Sequence, residues 1–181
     1  MSDNKLRVAV VGGAGMWGRH YLRTFAQRDD CSVVLVDTSD RAHAFASHFG
    51  VEEVLSDLGE LLKRETPDIV ANILPVRLSH DAVIACAEAG VKAVSCEKPM
   101  AVELSMADEM VRVCQERGTA FGCATAYWEV PFLQECAQWL RAGNIGALTA
   151  AAIPGGLPRE VRDRKSTRLN SSHQIISYAV F

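Results

Sequence analysis

The sequence is first informative through what it lacks. Its 181 residues contain no apolar run long enough to span a bilayer, and the opening MSDNKLRVAVV is apolar for only a few residues, too short for a signal peptide. There is no CxxC pair: the six cysteines (31, 86, 96, 114, 123 and 136) are widely spaced among mostly apolar neighbours, as reduced thiols of a cytoplasmic protein would be. Neither HxxxH nor a His-Cys cluster occurs, so no metal site is expected. Positive charge is not in excess either. Nineteen Lys and Arg face 22 Asp and Glu, a net charge of −3, which supplies no field to gather nucleic acid or an anionic membrane. What remains is ordinary globular composition, 49% hydrophobic and 23% charged, which excludes disordered, collagen-like and membrane-spanning classes.

The pattern changes abruptly at Asp163, where DRKSTRLNSSHQIISYAVF departs from the alternating apolar segments before it. Asp163 to His173 and Ile176 to Phe181 each resemble translated sequencing adapter, with Gln174 and Ile175 where a variable index would fall. A natural basic tail is the alternative. Residues 163–181 are set aside from fold reasoning, and His173 with them. Their three basic residues and one acidic residue removed, the charge of −3 becomes −5 for residues 1–162.

Between residues 5 and 124, short β-branched runs alternate with helix-period stripes. The runs are RVAVV (7–11), SVVLV (32–36), DIVANIL (68–74), KAVSC (92–96) and TAFGCA (119–124). Continuous apolar runs of this length suit strands buried on both faces of a parallel sheet. Helical spacing links Met16, Trp17, Tyr21, Leu22 and Phe25, then Ala42, Phe45, Ala46 and Phe49, then Val83, Cys86 and Ala87, then Met106, Met110, Val113 and Cys114. Gly50, Gly90, Gly118 and Gly143 follow helical stripes, where a left-handed residue stops the helix. The expected fold is α/β, a doubly wound parallel sheet of the Rossmann type, with ligand outside the carboxyl ends of the strands.

The first such end carries the clearest chemistry. Val8 to Val11 run into Gly12-Gly13-Ala14-Gly15-Met16-Trp17-Gly18, which contains GxGxxG at 13, 15 and 18 between strand and helix. Gly13 is expected to make the tight turn, Gly15 to let the backbone approach a pyrophosphate, and Gly18 to let helix pack on strand. Gly12, Gly15 and Gly18 also satisfy GxxGxxG, which short-chain and epimerase-type enzymes use. Those enzymes need YxxxK, and none of Tyr21, Tyr127 and Tyr178 has Lys four residues on. Asp37 ends the second run nineteen residues after Gly18, where a carboxylate accepts from adenosine ribose hydroxyls and repels a 2′-phosphate, favouring NAD over NADP. Arg41, one helical turn further, would neutralise such a phosphate or stack on adenine, so NADP stays open.

The second informative segment is Cys96-Glu97-Lys98-Pro99-Met100, at the end of the run 92–96. With the glycine loop, Asp37, LPVRLSH (74–80) and AGVKAVSCEKPMA (89–101), the chain resembles the Gfo/Idh/MocA oxidoreductases from about Leu6 to about Leu157. The resemblance implies an NAD(P)-dependent dehydrogenase acting on a sugar, polyol or related hydroxyl or carbonyl substrate, the alternative being a dinucleotide-binding module without catalysis. It implies that Gly13, Ala14, Gly15, Met16, Trp17, Gly18, Asp37, Arg41, Leu74, Pro75, His80, Glu97 and Lys98 contact the cofactor. It also implies that Lys98 is catalytic, steadying charge on the reacting oxygen or shuttling its proton. In the family Pro99 often follows a non-standard peptide.

One departure concerns His80. The family's His lies four positions after the Pro that follows the fourth strand, whereas Pro75 to His80 is five, read as an extra loop residue near the nicotinamide. His80 would alternatively just open a helix after Ser79. By this resemblance residues 1–124 form the dinucleotide domain and 125–162 the start of a second, α+β domain for substrate and dimerisation. That second part offers one helix (Phe132, Leu133, Cys136, Ala137, Leu140) and an opening strand around 148–153. The expected substrate pocket and the homo-oligomer surface of the full-length enzyme are cut away. A chain of this extent is expected to bind dinucleotide yet turn over poorly, with an unpaired strand edge prone to association. Tyr127 and Trp128 carry no assignment.

Overall fold

In the computed structural model the described residues are 5–124 and 130–147. Strands β1 (Leu6–Val11), β2 (Cys31–Val36), β3 (Glu53–Leu55), β4 (Ile69–Asn72), β5 (Ala93–Cys96) and β6 (Ala120–Cys123) form one sheet in the order β3-β2-β1-β4-β5-β6. Every pairing is parallel. The helices are α1 (Gly18–Ala26), α2 (Ala42–Phe49), α3 (Leu58–Arg64), α4 (Val76–Glu88), α5 (Leu104–Arg117) and α6 (Pro131–Arg141). This is the doubly wound Rossmann order, in which the chain works outward from the centre, returns, and works outward the other way.

Alternation along β1 explains why the sheet is covered on both sides. Val8 and Val10 pack into one cluster with Leu22 of α1 and Ala42 and Ala46 of α2. Ala9 and Val11 pack into another with Leu61 of α3, Val83 of α4 and Met110 of α5. Val8, Val10, Val34, Leu35 and Val70 retain no exposed surface, and full burial of each such side chain stabilises by about 1.5–3 kcal/mol. The glycines expected to end helices, Gly50, Gly90, Gly118 and Gly143, have φ between 71° and 83°.

Two elements, β3 and α3, are additional to the expected set. β3 has three residues, all half-buried, and α3 has seven with Leu61 its buried residue, so neither shows a strong periodic signal. α3 does carry a start signal, since the Asp57 carboxylate accepts from the Glu60 N–H at 2.8 Å. Ion pairs of Glu53 with Arg7 and Arg64, and of Arg7 with Glu65, tie β3 and the end of α3 to β1. The fourth strand is shorter than the run 68–74, because Ile73 and Leu74 already turn away from β5. Met16 and Trp17 do not cover the sheet as their spacing implied. They precede α1 and stand 72% and 58% exposed, leaving Leu22 as the buried apolar residue of that stripe.

The chain divides near residue 125 into two units. In the second, α6 opens with Pro131, whose fixed φ suits a first helical position, and ends at Ala142 before Gly143. The expected strand at 148–153, Tyr127, Trp128 and the segment 163–181 lie outside the described residues.

Candidate functional site

The parallel order brings the carboxyl ends of β1, β2, β4 and β5 to one edge of the sheet, and the chain there supplies every residue of the site. β1 and β4 are neighbours at the centre although their helices leave on opposite faces, which opens a crevice between them.

The glycine loop leaves β1 through Gly12, not Gly13. Gly12 has φ +81°, and a Cβ there would sit 2.7 Å from the Ile73 carbonyl oxygen in the turn after β4. Gly13 has ordinary φ, and its constraint is steric, since a Cβ would lie 2.5 Å from Leu35 Cδ1. A Cβ on Gly18 would fall on the Gly12 carbonyl oxygen, and one on Gly15 would stand 3.2 Å from the same atom. The tight turn expected of Gly13 is therefore made by Gly12, and the spacing that describes the loop is 12, 15 and 18. Arg19 N–H and His20 N–H donate to the Gly15 and Trp17 carbonyls, leaving the N–H groups of Met16, Trp17 and Gly18 at the loop mouth as donors for an anion. Side chains at 12 and 18 are excluded by the neighbouring backbone, and the loop amides, bare of side chains there, fit a diphosphate.

Asp37 stands at the end of β2 with both carboxylate oxygens engaged. Oδ2 accepts from Ala14 N–H and Oδ1 from Ser39 N–H, each at 2.8 Å. The Ala14 amide is thus committed to Asp37 instead of the phosphate position. Each oxygen keeps a second lone pair for a hydroxyl. Beyond Asp37 lies a groove of about 370 Å³ whose lining includes Asp37, Ser39, Asp40, His43, Leu55 and Glu60. Three carboxylates there leave it acidic. Arg41, the residue before α2, is exposed, and its N–H bonds the Ser39 hydroxyl.

Glu97, Lys98 and Pro99 follow β5. Glu97 N–H donates to the Asn72 carbonyl at 3.3 Å, and the Glu97 carboxylate accepts from the Tyr21 hydroxyl of α1 at 2.6 Å. Burial, and then this bond, push the Tyr21 hydroxyl well above its ordinary pKa, so it stays protonated. Lys98 Nζ lies 5.8 Å from the centroid of the Trp17 ring, and the Lys98–Pro99 peptide is cis. The glycine loop and the Glu97–Lys98 turn therefore meet.

Leu74 and Pro75 close the crevice from the β4 side. The buried Asn72 side chain shapes this turn, its Oδ1 accepting from Leu74 N–H at 3.3 Å and its Nδ2 donating to the Ser79 carbonyl at 3.4 Å. His80 is not brought to this edge. α4 begins at Val76 directly after Pro75, so there is no extra loop residue. The fourth position after Pro75 holds the buried Ser79, whose hydroxyl donates to the Leu74 carbonyl at 3.5 Å. One residue further is a rotation of about 100° around a helix. That turns the His80 ring to α5, with Nδ1 2.8 Å from Asp81 and Nε2 3.0 Å from Glu109. Tyr21, Asn72 and Ser79 are site residues that sequence reasoning passed over. A hydroxyl four positions after Trp17 in an apolar stripe was the signal for Tyr21.

Residues 6–125 match the profile described as an oxidoreductase family with an NAD-binding Rossmann fold. The chain belongs to the Gfo/Idh/MocA oxidoreductase family. The matched segment is that family's NAD-binding domain and contains all the residues just described. Among curated family members, D-apiose dehydrogenase of Paraburkholderia graminis is 32% identical over 137 residues, covering 74% of this chain and 36% of that protein. The 2,7-anhydro-N-acetylneuraminate hydratase of Mediterraneibacter gnavus is 35% identical over 112 residues, 62% of this chain and 29% of that one. Among solved structures, the WlbA dehydrogenase from Bordetella pertussis in complex with NADH and UDP-GlcNAcA superposes with a TM-score of 0.70 at 27% identity, covering 78% of this chain and 43% of that chain. KijD10, a 3-ketoreductase from Actinomadura kijaniata in complex with TDP-benzene and NADP, gives 0.69 at 29% identity, covering 79% and 45%. The chain spans roughly a third of the length of these curated relatives.

Proposed function

We propose that this chain is the dinucleotide-binding part of a dehydrogenase that oxidises or reduces a sugar, polyol or related hydroxyl or carbonyl compound. One observation carries the reading. The glycine loop, Asp37 and the Glu97–Lys98 turn stand on the same carboxyl edge, with Lys98 Nζ 5.8 Å from the ring centroid of Trp17 in the loop. When bound, a nicotinamide dinucleotide supplies hydride acceptance or donation. The chain's own residues do the rest. Amides of Met16, Trp17 and Gly18 bind a diphosphate, Asp37 accepts from ribose hydroxyls, and Leu74, Pro75 and Glu97 line the far end of the crevice. The Lys98 ammonium steadies negative charge on the reacting oxygen or passes it a proton.

The acidic groove beyond Asp37 favours NAD, because a 2′-phosphate there would face Asp37, Asp40 and Glu60 while Arg41 stands outside the lining. His80, paired with Asp81 and Glu109, takes no part. Residues 1–124 bind the dinucleotide and residues 125–162 open the substrate and dimerisation domain of a homo-oligomeric, cytoplasmic enzyme. Widely spaced free cysteines support that location.

Fluorescence titration of the folded chain with NADH and NADPH tests the reading. Binding of NADH in preference to NADPH is the expected result, and binding of neither overturns it. Lys98→Ala in the full-length enzyme should abolish turnover while leaving the diphosphate end of the cofactor bound as before. Unchanged turnover would instead support a binding module without catalysis.

A further inference from the structure

We propose that Tyr21 and Trp17 are positioning residues, a two-point clamp by which α1 holds Glu97 and Lys98 in register with the diphosphate loop. The proposal rests on the reading of the Glu97–Lys98 turn as the nicotinamide end of the crevice.

Trp17 and Tyr21 are four residues apart, and Trp17 already has helical backbone angles (φ −88°, ψ −39°), so the two side chains leave the same side of α1 on successive turns. They meet two consecutive residues. The Tyr21 hydroxyl donates to Glu97 Oε1 at 2.6 Å, the short distance of a hydroxyl bound to a carboxylate. The Trp17 ring lies 5.8 Å from Lys98 Nζ, within cation–π range. Each contact joins residues 76 to 81 apart in sequence, and neither is needed to build the sheet, because the pairing of β4 with β5 already places the end of β5.

The chemistry of the turn shows what the clamp does. Glu97 and Lys98 are adjacent and oppositely charged, so an unanchored Glu97 carboxylate would compete for the Lys98 ammonium. The Tyr21 hydroxyl occupies that carboxylate, and Trp17 gives the ammonium an aromatic face on the loop side. Because α1 also carries the loop Gly12 to Gly18, an anion seated on the loop and the turn that meets the other end of the dinucleotide are held by one rigid element. Loss of the clamp should then weaken contacts at the nicotinamide end and leave the diphosphate end untouched.

Calorimetric titration of the chain with NADH and with ADP-ribose, which lacks the nicotinamide, separates the two ends. Tyr21→Phe keeps the ring and removes the hydroxyl. By loosening a turn that binding must then order, it is expected to weaken NADH severalfold and to leave ADP-ribose within about twofold. Tyr21→Phe and Glu97→Gln should be non-additive, the double variant losing less than the sum of the two single losses. Trp17→Leu should lower NADH affinity selectively, and Trp17→Phe should restore most of it. Equal weakening of both ligands, an unchanged ratio between them, or a Tyr21→Phe protein that no longer melts cooperatively would each overturn the clamp, making the hydroxyl a structural element or an idle one. A folded parent chain that binds neither ligand would overturn the dinucleotide reading itself, and the clamp with it.

Discussion

Replacing Gly12 by alanine tests the geometry of the site most directly, because two separate costs fall on one methyl group. The backbone cost comes from φ +81°, which an L side chain tolerates only at about 1–2 kcal/mol. The packing cost comes from the Ile73 carbonyl oxygen, 2.7 Å from the new Cβ. That atom is main chain, and Ile73 is tied into the central crossing by its N–H, which donates to the Val11 carbonyl at 2.8 Å, so the oxygen cannot swing aside like a flexible side chain. Forcing the two strands apart should cost about 1–3 kcal/mol, as overpacking does. The sum, about 2–5 kcal/mol, is a large part of the stability of an ordinary domain and would lower Tm by roughly 6–20 °C. Gly50→Ala is the matched control: its φ is +73°, but nothing lies within 4 Å of the new methyl. It should lose the backbone cost alone, about 1–2 kcal/mol. Urea unfolding of both variants measures the difference, which is the steric part. If Gly12→Ala proves no less stable than Gly50→Ala, the close approach of the β1 and β4 turns is not as described, and the argument for a bare backbone cradle falls with it.

Three further outcomes follow from the same contacts. Asp37→Asn keeps one acceptor oxygen for a backbone N–H but loses the charge, so fluorescence titration should show NADH weakening by about tenfold relative to NADPH; an unchanged ratio would refute the role of the carboxylate. The His80 ring has its pKa raised by hydrogen bonds with Asp81 and, after opposing desolvation, with Glu109. Protonation therefore favours the folded state: the contribution is fully present below the ordinary value of 6.5 and is lost as pH rises through the higher folded value. Urea unfolding should show His80→Gln losing more stability at about pH 5.5 than at about pH 8.5, and equal losses would contradict the pairing. Finally, a hydrogen bond with the Cys96 thiol lowers the pKa of Cys123, whereas burial raises those of Cys86 and Cys114. Maleimide labelling followed by peptide mapping should find Cys123 modified ahead of those two, and a reversed order would refute the assignment.

Five of the six strands, four of the flanking helices and the glycine stops of three of those helices were legible in the sequence because each has a strong periodic or punctuating signal. RVAVV and SVVLV are unbroken apolar runs, and Gly50 and Gly118 sit where helices must end. β3 and α3 were not legible: three half-buried residues and a seven-residue helix are too short for a clear period, the Asp57 cap is their one local signal, and the ion pairs of Arg7 with Glu53 and Glu65 join residues far apart in the chain. In the candidate site, Asp37, Glu97 and Lys98 stand out in the sequence because they follow strand ends. The division of labour within Gly12 to Gly18 does not, since it depends on where Leu35 and Ile73 lie in space. Where the His80 ring lies was not legible, since spacing counts residues whereas a helix sorts them by angle, and here that angle brings the ring to Asp81 and Glu109. Tyr21 was hidden inside an apolar stripe, its role set by a partner 76 residues away.

The strand order also has a bearing on synthesis. The half-sheet β1-β2-β3 is complete once Leu55 has left the ribosome, but Val8 must wait for Ile69 to arrive before the middle of the sheet can close. Seventeen residues separate Leu55 from Asn72, roughly one to three seconds of translation, during which the inner edge of β1 lies open to any passing strand. Gly12 borders that gap. The phosphate cradle thus takes its final shape only when the turn after β4 docks, so coenzyme cannot rescue the nascent first half, and agents that slow elongation across codons 56–72 should raise aggregation of this chain more than those acting downstream.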